Sequence, residues 1–109
     1  MTDLEITRLC AEVMGYVFEV DADGEWCRDP SIRKGISGWR WPAYNYAPLV
    51  NDAQAMALVK KMKLFIMPES QMMEWEVSDE YDHEKFTVTG NDLNRDICEA
   101  VAKMQQAKA

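Results

Sequence analysis

Apolar residues recur at the three-to-four-residue spacing of an amphipathic helix in three segments of this 109-residue chain. Each segment follows a residue whose side chain can accept a hydrogen bond from the first turn of a helix. Gly15 supplies a stop for the first segment. The three predicted helices and their N-caps are residues 4–14 after Thr2, residues 52 to 62 or 63 after Asn51, and residues 93–104 after Asp92.

Shorter runs between these helices alternate apolar and polar residues, as strands with one buried face do. The run from Leu64 to Met67 is continuously apolar, which favours a central strand buried on both faces. Two later runs, on either side of a polar stretch, predict a hairpin with an acidic outer face. The predicted strands are Tyr16 to Val20 with a return through Trp26 after the turn at 21–24, Leu64 to Met67, Met73 to Val77, and Phe86 to Val88.

The segment from Arg28 to Pro48 shows no periodicity and is predicted to be a long loop rich in proline, glycine and aromatic residues. Two interpretations of its aromatic side chains remain open. They seal the core beneath the loop, which we favour for most of them, or they form part of a binding surface. The order of elements predicts one domain, 1–109, of the α+β class: a sheet of about four mostly antiparallel strands covered by three helices.

The chain is acidic, with a formal net charge of -7 and a pI near 4.6. Such a field repels phosphate backbones, so we expect no direct binding of nucleic acid and favour a basic protein partner, or one that itself binds nucleic acid. No apolar run has the length of a membrane span, and no secretion signal is recognisable at Met1. Three widely separated cysteines indicate reduced thiols and a cytoplasmic protein.

Residues capable of metal or catalytic chemistry do not form a recognisable motif. The run Glu19, Asp21, Asp23, Gly24 follows part of an EF-hand calcium loop, but Pro30 stands where the bidentate carboxylate belongs. Zinc is disfavoured because no pair among the potential ligands has close spacing. Those ligands are Cys10, Cys27, Cys98 and His83. Phosphate-binding and hydrolase motifs are missing. We therefore predict no cofactor, no metal and no enzymatic activity.

Two charged surfaces are candidates for partner binding. The first is an acidic hairpin that resembles a phosphate backbone in charge, although acidic residues also protect an edge hairpin from aggregation. The second is the aromatic and basic loop. The candidate residues are Glu74, Glu76, Asp79, Glu80, Asp82 and Glu84 in the hairpin, and Trp39, Arg40, Trp41 and Tyr44 in the loop.

The stretch Tyr44 to Leu58, with Pro48-Leu49 followed by Asn51-Asp52, resembles the helix start of the phage ABA sandwich domain family. Residues 1–12 and 91–102 are similar to the family's two terminal helices. The resemblance implies a three-layer α/β/α sandwich and a phage or prophage origin, and it supplies no catalytic residues. The chain departs from the family pattern in its aromatic and basic loop.

These observations predict a non-enzymatic phage accessory protein that binds a host protein and inhibits a host defence system, such as CRISPR interference, through an acidic surface. Two alternatives remain open. One is a small-molecule or nucleotide-binding protein, or an enzyme, that uses loop 39–46 as one wall of a pocket. The other is a structural subunit of a homo-oligomer.

Overall fold

The computed structural model describes residues 1–69, 74–79 and 88–108, which form three helices and six strands. The helices are α1 (Asp3–Val13), α2 (Asp52–Met62) and α3 (Leu93–Ala107), with a 3₁₀ turn at Ala43–Asn45. The strands are β1 (Val17–Asp21), β2 (Gly24–Arg28), β3 (Arg40–Pro42), β4 (Leu64–Glu69), β5 (Glu74–Asp79) and β6 (Val88–Gly90).

All three predicted helices are present, and their N-caps are the predicted residues. The side chains of Thr2, Asn51 and Asp92 each accept a hydrogen bond from the backbone N–H three residues along, at 3.1, 3.0 and 3.3 Å. Gly15 adopts φ 81°, and the next residue, Tyr16, donates its N–H back to the carbonyl of Ala11 at 2.9 Å. This glycine-ended cap turns the chain from α1 directly into β1.

The first sheet contains three antiparallel strands in the order β1-β2-β3. Phe18, Cys27 and Trp41 lie opposite one another on the face toward α1, and β1 joins β2 through the predicted turn, where Asp21 pairs with Gly24. The prediction that residues 28–48 form a loop without regular structure is wrong for β3 and the 3₁₀ turn. Three residues are too few to show periodicity, and β3 forms by pairing with the distant β2.

The second sheet has the order β4-β5-β6. Val77 pairs with Val88 as in the predicted hairpin, whereas the hairpin tip lies outside the described residues. The predicted strand at Leu64 to Met67 is present as part of β4, but the prediction that it is central and buried on both faces is wrong. Within the described residues β4 lies at the end of its sheet, and Phe65 and Met67 are exposed. An apolar run of four residues does not distinguish a two-sided strand from one with a single covered face.

The α+β class is confirmed, with helix α3 at the centre of the packing. It packs against α1, α2, β5 and β6, and seven of its residues are buried. The predicted single sheet of about four strands is not confirmed, since the described residues form two sheets of three strands. The three-layer sandwich is not confirmed either, because the helices pack largely on one another. No helix in the described ranges is long and apolar enough to cross a membrane.

Candidate functional site

The acidic hairpin proposed from the sequence lies mostly outside the described residues. This applies to Glu80, Asp82, Glu84 and His83, and to the side chains of Glu74 and Asp79. Glu76 is described: it pairs with Met67 on one side and Thr89 on the other, and it is half-buried. The acidic surface therefore stays a prediction, and the site is built from other residues.

The four loop residues proposed from the sequence are divided among different surfaces. Arg40 lies on the outer face of the first sheet with Trp39 beside it, whereas Trp41 lies on the inner face. Tyr44, in the 3₁₀ turn, is 81% exposed. Because successive residues of a strand point to opposite faces, Arg40 and Trp41 serve different surfaces. The four side chains do not form one wall of one pocket.

On the outer face, the guanidinium of Arg40 lies between two indoles. Its Cζ is 4.1 Å from the ring centroid of Trp26 and 4.7 Å from that of Trp39. Its Nη1 donates to Oδ2 of Asp21 at 2.9 Å. Bonds from the Trp26 indole, the Asp23 backbone N–H and Arg40 hold the pKa of Asp21 below its usual value. The network joins the β1–β2 turn to β3.

The carboxylates of Glu19 and Asp21, which belong to the partial calcium motif, bind groups of the protein itself. Glu19 forms an ion pair with Arg28 at 3.0 Å. Asp21 Oδ1 accepts bonds from the backbone N–H of Asp23 at 2.8 Å and from Nε1 of Trp26 at 3.0 Å. In the part of the chain that the structure describes, no group of three or more His, Cys, Asp or Glu residues is arranged to hold a metal ion.

The inner face of the first sheet is an aromatic cluster next to buried thiols. The ring of Tyr16 meets those of Trp41 and Tyr46 edge-to-face, at centroid distances of 5.2 and 5.5 Å. Burial raises the pKa of Tyr46, and burial followed by the charge of Asp29 raises the pKa of Cys27 to about 11. Tyr46 is buried and Trp41 half-buried, as expected for loop aromatics that seal the core.

A groove of about 400 Å³ runs between α1 and the open side of β1, and we call it the edge groove. Tyr16 and the first four residues of β1, Val17 to Val20, line it on one side. Arg8 and Glu12 line it from the helix. Glu25 completes the lining from β2. The Cζ of Arg8 lies 6.0 Å from the ring centroid of Phe18, so the guanidinium partly covers the groove floor.

A second groove, also of about 400 Å³, continues the edge groove toward the 3₁₀ turn, and we call it the Tyr44 groove. The two share Arg8, Phe18 and Glu25. Large apolar side chains beside them are open to solvent: Leu4 is 60% exposed, Val20 77% and Tyr44 81%. The lining residues of the Tyr44 groove are Asp3, Leu4, Thr7, Arg8, Phe18, Glu25, Ala43, Tyr44 and Tyr46.

A third depression, of about 730 Å³, lies at the N-terminal ends of α2 and α3. Polar groups in its lining already serve the fold. Asn94 Nδ2 donates to Oδ1 of Asp52 at 2.8 Å, and Asp92 caps α3. This depression therefore offers fewer free groups to a ligand than its volume suggests.

With this geometry in view, the chain can be set beside known proteins. Comparisons with protein-family models, with curated proteins and with solved structures find no match.

Sequence reasoning named Trp39, Arg40 and Tyr44 as candidates but missed the other residues that form the grooves and the arginine stack. Leu4, Phe18 and Val20 looked like core residues of a helix and a strand, and Trp26 was read only as part of a return strand. One available signal was the run Trp39-Arg40-Trp41, whose alternation has the period of a strand. The convergence of α1 with β1 depends on tertiary packing and has no local signal.

Proposed function

We propose that this chain is a non-enzymatic protein-binding module whose binding site comprises the edge groove and the adjoining Tyr44 groove. In the finer form of the proposal, it is a phage-encoded accessory protein of the host cytoplasm that inhibits a defence system. The resemblance of residues 44–58 to phage proteins supports that form. The observation that carries the proposal is the exposure of Leu4, Val20 and Tyr44 around two continuous grooves.

Three features support this surface as a binding site. Exposed tyrosines are over-represented among residues that dominate interface energies. The apolar floor formed by Phe18 is bordered by charged groups, including Arg8 and Glu25, which matches the apolar centre and polar rim of protein interfaces. The net charge of -7 favours a basic partner.

A matched pair of valines tests the proposal. Val20 lies in the edge groove and is 77% exposed. Val50, just before α2, is 80% exposed and lines neither of the two grooves nor the third depression. Affinity-tagged wild type, Val20→Asp and Val50→Asp are to be purified from bacterial host lysate and their bound proteins quantified by mass spectrometry.

We expect Val50→Asp to retain the host protein captured by the wild type, and Val20→Asp to lose at least about tenfold of it, because a carboxylate would be desolvated in an apolar contact. Both variants add one negative charge, so a general electrostatic effect would reduce both equally. Equal capture by all three proteins would reject the grooves as the binding site. Circular dichroism of both variants checks that the fold is intact.

The acidic hairpin is kept in the proposal as a second contact. If it contributes, reversing the charge at Glu74 and Glu76 weakens capture of the same host protein, and unchanged capture would reject it. Its role is secondary here because the described residues provide a groove elsewhere.

A second candidate function is small-molecule binding in the Tyr44 groove, and it is favoured by the three aromatic residues that line this groove, Phe18, Tyr44 and Tyr46. Thermal-shift measurements with nucleotides and aromatic metabolites test it. A compound that binds the native state raises the melting temperature in proportion to the logarithm of its concentration above the Kd. Stabilisation that disappears in Tyr44→Ser would support this function, and a flat response across the panel would reject it.

A further inference from the structure

The edge groove follows β1 from Val17 to Val20. Within the described residues β1 is hydrogen-bonded to β2 alone, so its other side is an open sheet edge. On such an edge, alternate residues present backbone N–H and C=O groups without ladder partners. The strand contains no proline, and Val17 and Val20 are exposed on it. Helix α1 lies across the groove and gives the open edge a second wall.

We propose that the partner binds the edge groove as an added β-strand, an extended and basic segment that pairs with β1 beneath α1. The inference rests on the proposed function and specifies how the partner is recognised. Main-chain hydrogen bonds to β1 hold the segment, and alternate side chains contact opposite faces of the first sheet. Apolar residues of the segment lie beside Phe18 and Val20, and basic residues lie on the face of Glu19.

Charge complementarity is the reason for a basic segment. The groove is lined by three carboxylates, from Glu12, Glu19 and Glu25, and by one guanidinium, from Arg8. The ion pair of Glu19 with Arg28 leaves both side chains more than a third exposed, at 38% for Glu19 and 34% for Arg28. The side chain of Glu25, which lies opposite Val20, has no hydrogen bond or ion pair within the described residues. Lysine or arginine at the alternate positions that share the face of Glu19 therefore meets that carboxylate, and Glu25 on the other face adds to the negative charge around the segment.

The same residues disfavour a second copy of this chain as the occupant. Glu19 is the central residue of β1. Two copies pairing antiparallel about the centre of β1 would place Glu19 opposite Glu19, and like charges directly opposite destabilise a strand pair. The net charge of -7 on each copy adds a long-range repulsion.

Defined peptides test this inference without knowledge of the host protein. The probe is an acetylated and amidated octapeptide of alternating lysine and valine. One control is the same peptide N-methylated at every residue, which keeps the side chains and removes the backbone donors. The other control alternates glutamate and valine. Each is titrated into ¹⁵N-labelled protein, and amide shifts and hydrogen exchange are followed by NMR.

The lysine and valine peptide is expected to shift the amide signals of residues 16–20 and to slow the exchange of alternate amides in β1. The N-methylated and acidic peptides are expected to bind at least about tenfold more weakly, because each loses either the main-chain hydrogen bonds or the charge match. Glu19→Gln is expected to weaken binding of the lysine and valine peptide, because the Glu19 carboxylate lies on the face that the lysines occupy. Glu5→Gln, an equal charge change outside both grooves, is expected to leave that binding unchanged.

Equal binding of the N-methylated peptide would overturn strand addition, because side chains alone would then account for docking. Absence of any binding at β1 would also overturn it. Both results are distinguishable from failure of the proposed function, since the capture test with Val20→Asp and Val50→Asp does not depend on how the partner pairs. A mass of twice the monomer in sedimentation, abolished by Val20→Asp and retained by Val50→Asp, would identify a second copy as the occupant and overturn the inference.

Discussion

The two faces of the first sheet are built from the same three strands but are held by different interactions. The inner face places Phe18, Cys27 and Trp41 side by side against α1 and the tyrosines, where burial dominates. The outer face places Arg40 between the indoles of Trp26 and Trp39 in a half-buried stack that does not pack on the core cluster.

Under the proposed function, one sheet serves both stability and the surface that binds the partner. The inner face supplies apolar burial, which contributes most to folding. The outer network joins the β1–β2 turn to β3 by charge and stacking, which contribute less in water. Because β1 belongs to both faces and borders the edge groove, the position of the groove depends on both sets of contacts.

The largest expected effect comes from two tryptophans on either side of Arg40. Trp41→Ala removes a half-buried ring in edge contact with Tyr16, and we expect a loss of about 2–4 kcal/mol in the free energy of unfolding. Trp39→Ala also removes a half-buried ring, but one that packs on Arg40 and not on the core cluster, with an expected loss of about 1 kcal/mol. Urea denaturation followed by circular dichroism measures both. Equal losses would show that the two faces are not held differently.

The next effect is the alkaline response of the inner face. Burial raises the pKa of Cys27 from 9.0 to about 11 in the folded protein. Between these values the unfolded chain releases the thiol proton and the folded chain retains it, so stability is fully present below pH 9 and falls as the pH rises toward 11. This difference between the unfolded and folded pKa of Cys27 corresponds to about 2–3 kcal/mol in the free energy of unfolding.

Cys27→Ala removes this titration and provides the control. Denaturation from pH 8 to 11 under reducing conditions should show a shallower fall for Cys27→Ala than for the wild type. The stability of both proteins still falls in part as the pH rises, because the pKa values of Tyr16 and Tyr46 are also raised in the folded state. Identical slopes would indicate that the thiol of Cys27 is not desolvated in solution.

A smaller effect is expected on the outer face from Arg40→Lys. The charge is retained, but the ammonium lacks the planar group that stacks between Trp26 and Trp39. We expect a loss of about 0.5–1 kcal/mol. Lys34→Arg, beside Trp39 at 5.9 Å, is the matched control and should change stability little. An unchanged free energy of unfolding in Arg40→Lys would indicate that Arg40 contributes to the stack through its charge alone.

The smallest effect is the acid response of Asp21. Hydrogen bonds from Trp26, the backbone N–H of Asp23 and Arg40 lower its pKa below 3.8. Its contribution is therefore present above pH 3.8 and is lost as the pH falls through the lower folded value. The stability difference between wild type and Asp21→Asn should be constant at neutral pH and narrow below pH 4. A constant difference down to pH 2 would contradict the assigned bonds.

The local parts of this fold could be predicted from the sequence, whereas its long-range pairings could not. Helix starts at Thr2, Asn51 and Asp92 were recognisable because the cap and the apolar stripe are close in the chain. Strand β3 was missed because its partner Trp26 is far along the chain from Pro42. The prediction that Leu64 to Met67 is a central strand was wrong because burial on both faces depends on neighbouring elements.

The candidate site was less predictable than the fold. Trp39, Arg40, Trp41 and Tyr44 were chosen by residue type, but their faces depend on the register of β3, which only pairing with β2 defines. The exposure of Leu4 was equally hidden, because it occupies an apolar position of an amphipathic helix. A sequence shows that a residue is apolar, and packing decides whether a neighbour covers it.

The most direct test of the proposed binding site is photo-crosslinking in living host cells. Tyr44 and Val50 have almost equal exposure, 81% and 80%, and only Tyr44 borders the described grooves. Benzoylphenylalanine is introduced at each position in turn, and crosslinked products are identified by mass spectrometry. The account predicts a crosslink to one host protein from position 44 and none to that protein from position 50. Equal crosslinking from both positions, or a product only with a second copy of this chain, would contradict it.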